Sequence, residues 1–373
     1  MKFPDDVPVL TDGVIRLRAP HLDDLAAMVE MNSDPETQRW NATPVPYRVE
    51  DAERALTERI PAGWRNGGLW SWAIETDGRY AGTVLLSGGE GKVGMIGFTT
   101  HPAMRGQGVA TRAVQLAVTH AFDVLGWNRI TWGAFAGNWG SRRVAWRAGF
   151  RHLITAYGGV VVRGEQLDEW IASIGRDDQR EPAHPWWEVP VIETDRFRLR
   201  AFRDSDVDRT IEFSNDELAL HWLSMIPQPF GRKEAERYIA GRYEGQASGD
   251  RITWVIADPD SDEMLGDVSI GGLFRPPDRA GGEIGYCAHP AARGRGLVTA
   301  AVGRVIEHAF LPLDQGGLGR RRLELVAARG NLASIKVALS NGFTQTGIRR
   351  AQDRRRDGSY EDLVTFDLLS EER

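Results

Sequence analysis

The 373-residue sequence contains one cysteine, Cys287. A single thiol closes no internal disulfide and builds no Cys-rich zinc site, so Cys287 is expected to be a small buried side chain in a reducing compartment. No apolar run reaches the roughly 18 residues of a membrane span, and the opening MKFPDDVPVL has acids and prolines where an export signal has an apolar core. These two gaps point to a cytoplasmic protein without a membrane partner. Charge of one sign is scarce as well: 46 Lys and Arg against 52 Asp and Glu give a net −6, which argues against a broad nucleic-acid-binding face. The low apolar content of disordered chains is also absent, since 42% of residues are hydrophobic.

What is present is length for two or three domains and an internal repeat. Thr11–Ala19 reappears, one residue shorter, as Thr194–Ala201, and Asp34–Trp40 as Asp216–Trp222. Ala52-Glu53-Arg54 returns as Ala235-Glu236-Arg237, and Trp72-Ala73-Ile74 as Trp254-Val255-Ile256. Farther on, His101-Pro102-Ala103 matches His289-Pro290-Ala291, and Asn138–Phe150 matches Asn331–Phe343. The slowly drifting offset is that of a duplicated domain with small loop insertions. The expected organisation is a first domain over 1–175, a polar, proline-containing linker over 176–188, and a second domain over 189–373.

Each half reads as mixed α/β, a sheet flanked by helices. In the second half, 252–257 and 265–270 are β-rich runs separated by turn signals, and 284–288 is a strand running into His289-Pro290. Val298, Ala301, Val302, Val305, Ile306 and Phe310 recur at helical spacing. A strand over 323–326, a helix over 332–339 ended by Asn341-Gly342, and a strand over 363–369 complete the half.

The junction of strand and helix carries the clearest functional signal. Arg105-Gly106-Gln107-Gly108-Val109-Ala110 and Arg293-Gly294-Arg295-Gly296-Leu297-Val298 each follow His-Pro and precede an amphipathic helix. Glycines let the backbone approach a ligand and adopt positive φ, and successive N–H groups at a helix N-terminus form a phosphate site. The spacing matches neither the P-loop nor the dinucleotide fingerprint.

These residues resemble the GNAT superfamily of acetyl-CoA-dependent N-acetyltransferases, whose pyrophosphate loop reads Gln/Arg-x-x-Gly-x-Gly/Ala. The second half is similar to the ribosomal-protein-type (RimJ/RimL-like) branch through Gly282-Glu283-Ile284-Gly285-Tyr286, His289-Pro290, the loop, Asn331-Leu332-Ala333-Ser334 and Gly342-Phe343. The first half supplies Ile96-Gly97-Phe98, His101-Pro102, its loop, Asn138-Trp139-Gly140-Ser141 and Gly149-Phe150. The resemblance implies two tandem GNAT-like domains, acetyl-CoA as cofactor, and a primary amine, small molecule or peptide, as acceptor. It also implies a monomer, the tandem standing in for a homodimer.

By the same likeness the loops bind pyrophosphate, and the preceding strand segments Phe98-Thr99-Thr100 and Tyr286-Cys287-Ala288 offer backbone groups to the cofactor. Asn138 and Asn331 are expected to start a helix and touch the pantetheine arm. An acceptor amine of pKa about 8 to 10.4 must lose a proton before attack, so a carboxylate base is needed. Glu283 is the first candidate and Glu324, on the next strand, the second; the first half has Met95 and Thr131 in their places. The second half is therefore expected to be catalytic, with the first left to bind cofactor or support the fold without catalysis. Against this, Ala110 fits the loop pattern better than Val298 does. The superfamily's general-acid Tyr is replaced by Ala145 and Ala338, leaving Ser141 or Ser334 to assist the leaving thiolate.

Trp40, Tyr47, Trp64, Trp70, Trp72, Trp222, Phe230 and Trp254 are candidate walls for the acceptor. Arg354-Arg355-Arg356 reads as a solvated hairpin tip. A different class, an acyl-CoA sensor without turnover, remains open, and such a sensor has no need of Glu283.

Overall fold

The computed structural model describes residues 2–274 and 280–373. The chain divides into two compact units, residues 1–183 and 184–373. Among the described residues each unit holds one eight-stranded sheet.

In the first unit the strands are β1 (Leu10–Thr11), β2 (Arg16–Arg18), β3 (Leu69–Thr76), β4 (Arg79–Gly88), β5 (Val93–Thr100), β6 (Arg129–Phe135), β7 (Arg151–Val162) and β8 (Glu165–Gly175). Its helices are α1 (Leu25–Ser33), α2 (Pro35–Trp40), α3 (Val49–Arg54), α4 (Ile60–Asn66), α5 (Val109–Asp123) and α6 (Trp139–Arg147). The second unit repeats the plan with β9 (Ile192–Glu193), β10 (Arg198–Arg200), β11 (Ile252–Ala257), β12 (Met264–Gly271), β13 (Gly281–Ala288), β14 (Arg322–Ala328), β15 (Thr344–Arg354) and β16 (Tyr360–Leu369). Its helices are α7 (Val207–Ser214), α8 (Glu217–Trp222), α9 (Arg232–Ala247), α10 (Leu297–Phe310) and α11 (Leu332–Ser340). Strand order is β1-β2-β3-β4-β5-β6-β8-β7 in one sheet and the matching β9-β10-β11-β12-β13-β14-β16-β15 in the other.

All neighbours pair antiparallel except β5 with β6 and β13 with β14, which are parallel and joined through α5 and α10. A parallel pair needs such a crossover, and the apolar stripe of each crossover helix is what the sheet buries. In the second unit Val302, Val305 and Ile306 of α10 pack with Trp254, Val268, Ile284, Leu323 and Leu325. The opposite face is covered by α7 and α9, where Val207, Ala235 and Ile239 meet Val255, Ala257 and Met264. Strand alternation thus separates a crossover-helix face from an early-helix face.

The duplication extends to single contacts. Trp72 Nε1 donates to the Pro8 carbonyl and Trp254 Nε1 to the Pro190 carbonyl, each at 3.0 Å. Each indole meets a histidine edge-on at 5.6 Å, His120 and His308, whose burial lowers their pKa. In the polar stretch between the sheets, Trp187 Nε1 donates to the Gly249 carbonyl at 2.7 Å, packing that stretch onto the second unit.

Candidate active site

The two parallel pairs are short. β5 and β6 pair from Val93↔Arg129 to Ile96↔Trp132 only, and β13 and β14 from Gly281↔Arg322 to Ile284↔Leu325. Beyond these points β5 stays paired with β4 up to Thr100, and β13 with β12 up to Ala288. The sheet therefore opens between the central strands of each unit. Of residues 97–100 and 285–288, the backbone N–H and C=O groups turned away from β4 or β12 line that opening and lack a strand partner.

At the end of the opening stand the glycine loops. Gly106 and Gly108 have φ of +77° and +78°, and Gly294 and Gly296 have +72° and +71°. An added Cβ at any of the four meets no heavy atom within 4 Å, so the loops are open toward solvent and their glycines serve backbone conformation rather than packing. Gly108 and Gly296 are the N-caps of α5 and α10, and neither end receives a side-chain cap. The first N–H groups of two long helices thus face an open concavity, an arrangement suited to phosphate.

The flanking arginines are tied down. Arg293 spans both carboxylate oxygens of Asp216, at 3.1 and 2.5 Å, and holds that carboxyl below its ordinary pKa. Arg105 contacts Asp34 and the Thr37 hydroxyl, the latter at 2.7 Å. Asp34 and Asp216 also cap α2 and α8. These guanidinium groups anchor loop to helix, which leaves the phosphate-facing task to the backbone. Gln107 Nε2 turns back to the Ala103 carbonyl at 2.9 Å, and Arg295 offers its carbonyl to Arg196.

Asn138 and Asn331 cap α6 and α11, accepting from the Ser141 and Ser334 N–H at 3.0 and 3.1 Å. The serines differ in what they meet. Ser334 Oγ lies 2.8 Å from the Tyr286 hydroxyl, which burial pushes up to about 12 and the Ser334 hydrogen bond pulls down. Ser141 Oγ instead accepts from Trp132 Nε1 at 3.1 Å, because Phe98 stands where the second unit has Tyr286. Tyr286 shares the crossover-helix face with Ile284, whereas Glu283, Gly285 and Cys287 alternate onto the other face.

On that other face Glu283 is exposed and pairs in register with Glu324. Glu324 forms an ion pair with Arg322 at 2.8 Å and lines a cavity of about 270 Å³ with Val326, Thr346, Ile348, Arg349 and Thr365. In the first unit the matching register pair is Met95↔Thr131. One step farther along the second sheet, buried Asp267 accepts from Tyr238 at 2.8 Å and from the Cys287 thiol at 3.1 Å, both on Oδ2. Burial and the adjacent Asp267 charge push the thiol and phenol pKa values up. Asp267, Tyr238 and Arg242 were not singled out by sequence reasoning. Their only sequence signal is a polar stripe at Tyr238, Arg242 and Gln246, four residues apart on one helix face.

Two expectations need correction. Trp64, Trp70, Trp72, Phe230 and Trp254 are buried core, so they form no acceptor wall. Of the aromatic set, Trp222 remains beside the late hairpin, under Arg355 at 4.7 Å. The hairpin tip is not simply solvated. Arg355 is buried, pairs with Asp353 and Glu361, and donates to the His221 carbonyl at 3.0 Å, while Arg356 reaches the Leu220 and Ile226 carbonyls. Among the described residues, no group of three or more His, Cys, Asp or Glu is placed to hold a metal, and no helix is long and apolar enough to cross a membrane.

A profile of the acetyltransferase (GNAT) domain matches residues 15–151 and again residues 196–344. The uncharacterized N-acetyltransferase YoaA of Bacillus subtilis (strain 168) is 28% identical over 166 residues, 43% of this chain and 86% of its own length. The probable N-acetyltransferase YjcK of the same organism is 34% identical over 140 residues, 36% of this chain and 77% of its own. Among solved structures, Mycobacterium smegmatis RimJ in complex with CoA-disulfide is similar at 24% identity and TM-score 0.42, over 47% of this chain and 88% of that one.

Proposed function

The chain belongs to the GNAT family of acetyltransferases, an N-acetyltransferase with acetyl-CoA as donor, and from that premise we propose that acetyl transfer to a primary amine takes place in the second unit. The observation that carries this is the asymmetry of two otherwise superimposable plans. Both units keep the glycine loop, the capped second helix and the opened strand pair. In the second, the last rungs of the parallel pair carry Glu283 and Glu324 where the first has Met95 and Thr131, and a phenol, Tyr286, is bonded to the helix serine. The first unit's carboxylate at the opening, Glu169, comes instead from β8, over Gly133.

The residues present fit the donor: an open cradle of N–H groups at 294–298 for the pyrophosphate, and unpartnered strand edge at 285–288 for the amide-bearing arm. When bound, acetyl-CoA supplies an activated acetyl group and a thiolate leaving group. Helices α10 and α11 cover one face, on which Tyr286 and Ser334 would meet the donor's sulfur, and Glu283 stands on the other, from which the amine would arrive. Glu283 takes the amine's proton, directly or through water. A backbone N–H of 285–288 stabilises charge on the acetyl oxygen. Tyr286, with its pKa up to about 12, keeps its proton. Its hydroxyl lies 3.1 Å from the Ser334 carbonyl and 2.8 Å from Ser334 Oγ, and turning its hydrogen bond from the carbonyl to Oγ frees the serine hydroxyl proton for the departing sulfur. Glu324, held by Arg322, shapes the acceptor cavity beside the base.

Release of free CoA from acetyl-CoA over a panel of primary amines tests the proposal. Glu283→Gln is expected to lower kcat by about 10² or more while leaving the acetyl-CoA Kd within about twofold. An unchanged kcat removes Glu283 as base. Bound acetyl-CoA with no release from any amine replaces the enzyme reading by a sensor.

A further inference from the structure

Helix α9 lies over the face from which the amine approaches, and the residue it places there is a guanidinium. Arg242 is half-buried and stacks on the Tyr238 ring, its Cζ 3.9 Å from the centroid. Its Nε is buried without a hydrogen-bond partner, while the rest of the head group bonds Tyr238 and feels the charge of Asp267. The unit's buried arginines are satisfied otherwise: Arg200 and Arg355 are ion-paired, to Asp206 and Asp262 and to Asp353 and Glu361, and Arg320 donates to the Leu318 and Leu273 carbonyls. A guanidinium partly out of water with a buried donor unspent is costly unless something acceptor-bearing completes it.

A second orphan lies on the same side of the sheet. Thr253 Oγ1 is fully buried and unpartnered. It alternates with Trp254 and Ile252, which belong to the crossover-helix core, so it faces α9 along with Val255 and Ala257. Across the strands Thr253 pairs with Ser269 and Ser269 with Gly285. That row ends at the opened strand edge, where Gly285 is exposed and contributes no side chain. Asp267, in the next row, is already committed through Oδ2 to Tyr238 and Cys287.

We propose that Arg242, assisted by Thr253, binds a carboxylate of the acceptor, making the substrate class of the second unit small amines that also carry a carboxylate, of the amino-acid type. The inference rests on acetyl transfer occurring in the second unit. The amine sits by Glu283 at the opening, and the carboxylate lies along the Gly285 row under α9. Donor count agrees: a carboxylate accepts two parallel N–H bonds from a guanidinium and one from a hydroxyl. The first unit keeps no such arrangement, since the residue at the same offset, Arg59, is exposed and Thr83 stands where the second unit has Asp267.

The test compares α-amino acids with their methyl esters and decarboxylated amines in the CoA-release assay, using the full chain. The acids are expected to exceed the matched amines in kcat/KM by about 10² or more, since a site built for a charged partner strongly rejects the analogue lacking it. Arg242→Ala should remove that preference, lowering kcat/KM for acids about 10²-fold and for amines less than threefold; Arg242→Lys should restore part of it. Thr253→Val, which deletes an unbonded hydroxyl and so should fold normally, is expected to cost acids several-fold. Equal rates for acids and amines in the wild type overturn the inference and leave the acetyltransferase reading intact. So does an equal loss for both in Arg242→Ala with acetyl-CoA affinity unchanged. No release from any acceptor overturns both.

Discussion

Removing the Tyr286 hydroxyl separates a relay from a packing contact. Tyr286 Oη lies 2.8 Å from Ser334 Oγ and 3.1 Å from the Ser334 carbonyl. When it donates to Oγ, the serine's own proton is directed into the opening, where it meets negative charge growing on sulfur. A hydrogen bond to a charged group contributes roughly 1.5–3 kcal/mol, or about 10- to 150-fold in rate, and sulfur's diffuse charge puts the expectation near the lower end. Tyr286→Phe is therefore expected to lower kcat about tenfold and Ser334→Ala about 10- to 50-fold, with KM for acetyl-CoA little changed. The two act through one proton, so the double variant should be no slower than Ser334→Ala alone. Folding stability should fall by about 1 kcal/mol or somewhat more in Tyr286→Phe, since the hydroxyl's two neutral contacts with Ser334 are lost. Because burial pushes the phenol up to about 12, the wild-type to variant ratio should stay flat from pH 7 to 10. Single-turnover acetyl transfer reads all of this. Multiplicative losses in the double variant, or a ratio that collapses near pH 10, would refute the relay.

Further outcomes follow from the same contacts. Arg355→Ala should destabilise the second unit by about 3 kcal/mol, because it strands Asp353 and Glu361 and uncovers Trp222, whereas exposed Arg354→Ala should stay within about 0.5 kcal/mol in chemical denaturation. Raising the pH from 10 toward 12 should erode stability, because Tyr286 holds its proton in the fold but releases it near 10 when unfolded. Its share, present below pH 10, is on the order of 2 kcal/mol and should be missing from the alkaline limb of Tyr286→Phe. Ser141→Ala, in the first unit, should leave kcat within about twofold.

Much of the fold was legible because the chain states it twice. The Trp72 and Trp254 runs, the His-Pro turns and the glycine loops each occur in both halves, and the amphipathic crossover helix of the second unit spans Leu297–Phe310, close to the expected stretch. Strand β15 was less visible: Thr344–Arg354 has one large aliphatic residue, Ile348, and gains its place from pairing with β16 rather than from its own pattern. The aromatic residues misled for an ordinary reason, that large rings bury the most area and so fill the core. The buried Arg355 and half-buried Arg242 look solvated in sequence, because what covers a guanidinium is set by folding: Trp222 of α8 and Glu361 for Arg355, the Tyr238 ring one turn away on its own helix for Arg242. Glu283 and Glu324 were individually legible; that they stand side by side at the last turns of a shortened parallel pair is a property of register.

The division of labour between the units is tested most directly by single-turnover acetyl transfer in Gly108→Val and Gly296→Val. Each places a β-branched residue at a φ above +70°, which L side chains strongly disfavour, and so spoils one cradle while leaving the other. Chemistry in the second unit predicts that Gly296→Val abolishes transfer and Gly108→Val keeps it within about twofold. Transfer that survives Gly296→Val and is lost in Gly108→Val would contradict it.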